Sequence, residues 1–137
     1  MFKLIRMHNS TTCVPNIVEC QVQSGILIKK GDAYIFTDEG ISTNTSDPTR
    51  PVYIACENKD PLGADYCGTV KCYQVLPGME FETLCSIEAR PNAAIGLLAE
   101  LSYANGCSQV DVSTEGQFII SEVFNVEEDG IIRVIAK

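Results

Sequence analysis

A single histidine, His8, serves a chain of 137 residues, and basic side chains are outnumbered by acidic ones, ten to eighteen. One imidazole in the amino-terminal segment leaves serine and cysteine nucleophiles elsewhere without a histidine base, so nucleophilic catalysis has little to build on. The formal charge of -8 repels a phosphate backbone and an anionic lipid surface alike, which argues against nucleic acid and membrane as partners. No apolar run is long enough for a signal peptide or a membrane span; the opening segment mixes Phe2, Leu4, Ile5 and Met7 with Lys3 and Arg6. A soluble, intracellular product is expected. Glycine-rich phosphate loops are missing too: Gly25 and Gly31 are separated by Ile26, Leu27 and Ile28, and no helix start follows. Fixed-period repeats, low-complexity tracts and inter-domain linkers are likewise absent from the sequence.

What the chain has is apolar mass: 45 % hydrophobic against 20 % charged residues predicts one packed domain. Short β-type runs closed by Gly, Pro or Asp recur along it, the sequence form of a compact all-β barrel or sandwich with long polar loops. Residues 17–22 alternate, with Val18, Cys20 and Val22 on one face and Glu19 and Gln21 on the other. Further strands are predicted at 33–36, 52–56, 69–76, 80–87, 109–112, 117–126 and 131–136, with a polar loop at 41–51 that carries a short strand at its start. Pro77-Gly78 predicts a hairpin between the runs 69–76 and 80–87, and Asp129-Gly130 predicts another between 117–126 and 131–136. Residues 92–101 have helix-forming composition, but Gly96 favours a turn followed by a strand at 97–103. The first sixteen residues stand apart from the body at 17–137, as an arm or an added strand.

Candidate chemistry is sparse. Cys56, Cys67, Cys72 and Cys85 offer four sulfurs, but their spacing lacks the two close pairs of a structural zinc site. The seven cysteines are odd in number and scattered, so free thiols packed as small hydrophobes are expected. Glu80, Glu82 and Glu88 invite a two-carboxylate hydrolase; Glu80 and Glu82, two apart on a strand, read instead as a solvated face. Tyr34, Tyr53, Tyr66, Tyr73 and Tyr103 read as core and rim packing rather than stacking platforms. The sequons Asn9-Ser10-Thr11 and Asn44-Thr45-Ser46 read as coincidence without a signal segment. No catalytic residue, cofactor or metal is predicted.

The order of motifs resembles the small capsid decoration proteins of tailed phages, also called head-stabilising or cement proteins. The likeness is carried by a Gly-x-x-Ile-x-x-Gly-Asp-like turn at 25–32, a Pro-x-Tyr-Ile-Ala-like strand at 51–55, and a Val-rich run at 70–75 passing into Pro77 and Phe81. A late Gly-led strand at 116–126 and a final strand at 131–136 after an acidic turn complete it. The resemblance implies a structural virion protein with no active site, made in the host cytoplasm. It would bind the major capsid protein on the capsid exterior as trimers and stabilise contacts between capsomers. The seven cysteines and the first sixteen residues depart from that pattern. An apolar, basic arm on an acidic protein has a natural use in gripping a neighbour, which nominates Phe2, Leu4, Ile5 and Met7 as contact residues. Removing residues 1–16 is then expected to abolish decoration while the body stays folded. The alternative is a small β-barrel ligand-binding or adaptor module without catalysis, which would present an apolar pocket with a few convergent polar groups.

Overall fold

Alternation of side chains along each strand sorts this chain into two antiparallel sheets. The computed structural model describes residues 1–8, 15–43, 49–63 and 67–137; both sequons and Tyr66 lie outside the described residues. In chain order the strands are β1 (Lys3–Met7), β2 (Ile17–Gln21), β3 (Ala33–Thr37), β4 (Gly40–Ser42), β5 (Val52–Ala55), β6 (Thr69–Gln74), β7 (Met79–Leu84), β8 (Leu98–Ala104), β9 (Cys107–Val112), β10 (Phe118–Val123) and β11 (Ile131–Ala136). One sheet has six strands in the order β1-β7-β11-β10-β8-β9, the other five in the order β2-β6-β5-β3-β4. Each sheet curls back on itself. Cys85, just past β7, bridges Val110 of β9, and Val22, just past β2, bridges Ile41 of β4.

The main core fills the space between the sheets. Phe81, Phe118, Ile120, Ile132 and Val134 from the six-stranded sheet meet Ala33, Ile35, Val52 and Ile54 from the other. The opposite face of the five-stranded sheet is buried as well: Cys20, Val22, Tyr34, Ile41, Ala55, Val70 and Cys72 pack with Ile28 inside its curl. Two buried faces explain why β3 and β5 read as nearly continuous apolar runs rather than as a polar–apolar alternation. The six-stranded sheet keeps one face inside and one outside, so β11 alternates Ile132, Val134 and Ala136 inward with Ile131, Arg133 and Ile135 outward.

The amino-terminal residues belong to this body. Phe2 is 2 % exposed and lies against Phe81 and Phe118, at ring-centroid distances of 5.8 and 5.5 Å. Its amide donates to Gly31 O at 2.7 Å, and the Thr83 hydroxyl donates to Met1 O at 2.9 Å, so the segment is tied to both sheets. β1 then pairs antiparallel with β7, Leu4 opposite Phe81 and Arg6 opposite Glu80, with an irregularity at Ile5. Of the two expectations for residues 1–16, the described part follows the added strand. Of the four nominated contact residues, Phe2 needs correction because it is core; Leu4 and Met7, half-buried, pack against the core, and Ile5 is half-buried. A large aromatic gains more by leaving water here than by waiting for a partner.

Three other expectations change. Pro77-Gly78 does not close a hairpin, because β6 and β7 lie in different sheets; the turn carries the chain across the core, with Gly78 N donating to Ala136 O at 3.0 Å. β10 and β11 do pair, yet one helical turn, α1 (Val126–Asp129), joins them where a two-residue turn was expected. Gly130 caps that turn at φ 73°, a left-handed conformation that glycine adopts without a Cβ clash. The cysteines are not all free: Cys20 and Cys72 form a disulfide between β2 and β6. They sit diagonally across the antiparallel pair, Cys20 opposite Val70 and Cys72 opposite Val18, with Cα atoms 6.5 Å apart, inside the range a disulfide spans. The turn-then-strand reading of residues 92–103 holds, with a 3-10 turn at Arg90–Asn92 followed by β8.

Candidate functional site

The outer face of the six-stranded sheet brings together His8, Glu80 and Glu82, three of the residues that sequence reasoning singled out. Residues directly opposite one another share a face, so the register reads as rows running across the strands. One row runs Arg6, Glu80, Ile135, Ile119 and Leu98. The next runs Lys3, Glu82, Arg133 and Glu122, and a third pairs Leu84 with Ile131.

Glu80 organises the first row. Its carboxylate is buried, with Oε2 2.6 Å from His8 Nε2 and 3.0 Å from Arg6 Nε, while the Ser121 hydroxyl donates to Oε1 at 3.2 Å. Ser121 reaches it from β10 because the β10–β11 register slips between Ile120 and Glu122 and leaves Ser121 without a directly opposite partner. Burial pushes the Glu80 carboxyl up, but the His8 hydrogen bond, the Arg6 charge and the Ser121 hydrogen bond outweigh it and hold the group below the usual glutamate range. Three elements are thereby tied together: β1 with its following residue, β7 and β10. The solvated-face reading of Glu80 is overturned. Glu82 keeps the more open setting, 3.6 Å from Arg133 Nε, while Arg133 Nη1 donates to Glu122 at 2.7 Å and its guanidinium carbon lies 5.3 Å from the Phe124 ring centroid.

This arrangement holds strands in register; it does not line up a nucleophile with a base. The Ser121 hydroxyl is bonded to the carboxylate and not to the imidazole, so the order of a hydrolytic triad is not met. Around the ionic rows the face is apolar: Leu84, Ile119 and Phe124 are exposed, and Ile131, Ile135 and Leu98 are half-buried beside them. The result is an open apolar surface crossed by a charged band.

The four cysteines weighed as a zinc set do not act together. Cys72 is bonded to Cys20, Cys85 is fully buried, Cys56 is half-buried and Cys67 is exposed. Burial raises the thiol pKa at Cys85 and at Cys56, whereas hydrogen bonding to Thr69 lowers that of Cys67. Among the described residues no cluster of three His, Cys, Asp or Glu side chains is placed to hold a metal ion, and no helix is long and apolar enough to cross a membrane. Sequence reasoning missed Ser121, Arg6 and Arg133. One signal was present, since Arg6 and His8 lie two apart on an extended segment and can face one carboxylate together. No protein-family model, curated protein or solved structure matches the chain.

Proposed function

We propose that this chain is a structural virion protein that attaches to the exterior of a phage capsid and stabilises contacts between capsomers, with the outer face of the six-stranded sheet as its docking surface. The observation that carries this reading is the exposure of Leu84, Ile119 and Phe124 on one sheet face, beside half-buried Ile131, Ile135 and Leu98. Apolar side chains gathered on one face characterise adhesion surfaces. The resemblance of the motif order to that of capsid decoration proteins suggests the partner, the major capsid protein, and trimeric self-association belongs to the same reading. The buried Glu80 cluster supports it physically, because a face that clamps neighbouring subunits must keep its own strands in register under load.

The test uses purified protein and undecorated capsid shells in a co-sedimentation assay. Wild type is expected to pellet with shells at saturable stoichiometry. Ile119→Asp is expected to stay in the supernatant with its fold intact, while Ile17→Asp, on the exposed edge strand β2, still pellets. Failure of wild type to bind, or equal binding by I119D, contradicts the proposal.

A further inference from the structure

Where the chain leaves β7 and crosses beside β9, a cleft of about 500 Å³ opens among residues 84–90, β8 and β9. Its size falls within the roughly 300–1,000 Å³ of small-molecule sites. Three serines line it: the hydroxyls of Ser86 and Ser102 are each buried without a hydrogen-bond partner among the described residues, while Ser108 Oγ accepts from Ala33 N at 2.9 Å. Ser86 as a whole is 6 % exposed. A buried hydroxyl with no partner disfavours the folded state, and native chains rarely leave two together. Glu88, Gln109 and Asp111 line the same cleft.

We infer that this cleft is a binding site for a neutral polyhydroxylated ligand, a sugar residue. Charge disfavours an anion: Arg90 is the one cation of the lining, set against Glu88 and Asp111, on a chain of net charge -8. Arg90 is also engaged, its Nε donating to Cys85 O at 3.2 Å. A serine hydroxyl and a glutamine amide each donate and accept, while a carboxylate only accepts, so the set fits a ligand whose groups do both. Sugar hydroxyls have that property. Carbon surface for a sugar's C–H face comes from Ile87 and Tyr103, the latter with its hydroxyl already donated to Ala33 O. The inference is independent of the capsid proposal; Leu84 stands at the border of the two surfaces.

Saturation-transfer difference NMR on the full chain tests it, with methyl α-glucoside, methyl α-mannoside, methyl β-galactoside and N-acetylglucosamine as probes and with methyl phosphate and putrescine as charged controls. At least one sugar is expected to bind saturably. Asp111→Asn, with an unchanged near-ultraviolet circular dichroism spectrum, is expected to weaken that binding by about tenfold, the loss of a charge-assisted hydrogen bond. Gln109→Ala provides the same comparison if D111N does not fold. No saturable sugar binding, wild-type affinity in the folded variant, or preferential binding of methyl phosphate or putrescine overturns the inference.

Discussion

The Oε2 atom of Glu80 lies 2.6 Å from Nε2 of His8, so the chain's only histidine is bonded to a buried carboxylate seventy-two residues away. The folded-state pKa of Glu80 lies below its ordinary value of 4.5, so the unfolded chain holds the proton more tightly. The stability this group contributes is therefore fully present above that ordinary value and is lost as pH falls through the folded one. Urea unfolding midpoints of wild type should decline as pH is lowered below 4.5, the ordinary value. Glu80→Gln should lack this component of the decline and be less stable at neutral pH by about 1–3 kcal/mol. Parallel acid profiles for the two proteins would contradict the assignment.

Phe2→Ala removes an aromatic ring that touches Phe81 and Phe118 in the main core. A cavity of that kind costs about 3–5 kcal/mol, seen as a fall in the thermal midpoint. By the same argument, deletion of residues 1–16 should destabilise the body, so point substitutions on the outer face are the cleaner probe of docking. A truncated chain with wild-type stability would show that Phe2 is not part of the core.

Cys20 and Cys72 should resist alkylation in the folded protein until a reductant is added, while exposed Cys67 and Cys107 react at once; peptide mapping by mass spectrometry distinguishes the pairs. Loop-closure entropy for a cross-link spanning 52 residues sets the stabilisation at about 4 kcal/mol, so reduction should lower the thermal midpoint. An unchanged midpoint after complete reduction would contradict a stabilising cross-link.

Much of the strand pattern was legible because it rests on local physics. Residues 17–22 alternate in the sequence, and Cys20 and Val22 are buried, though Val18 is exposed at the sheet edge. Gly96 and its neighbours gave a turn and then a strand. What was not legible depends on which strands meet. Pro77-Gly78 has the composition of a tight turn, and composition cannot distinguish a turn that pairs two strands from one that passes between sheets. The disulfide joins residues brought together only by the β2–β6 register. Glu80 alternates with Met79 and Phe81 like any solvent-facing glutamate; its burial follows from Arg6, His8 and Ser121, which two separate segments deliver.

Gly130→Ala should be destabilising beyond the usual glycine effect. Its φ is 73°, and an added Cβ would stand 2.4 Å from the Arg90 guanidinium, which packs over this turn. A loss of more than about 1 kcal/mol in urea unfolding is expected. Stabilisation by alanine would contradict the left-handed cap.

The most direct test of the docking face is hydroxyl-radical footprinting of the protein alone and on saturated capsid shells. Protection is predicted at Leu84, Ile119 and Phe124, with Ile17, Val18 and Leu62 remaining as reactive as in the free protein. Protection confined to Ile17, Val18 and Leu62, or none at Leu84, Ile119 and Phe124, would contradict the account.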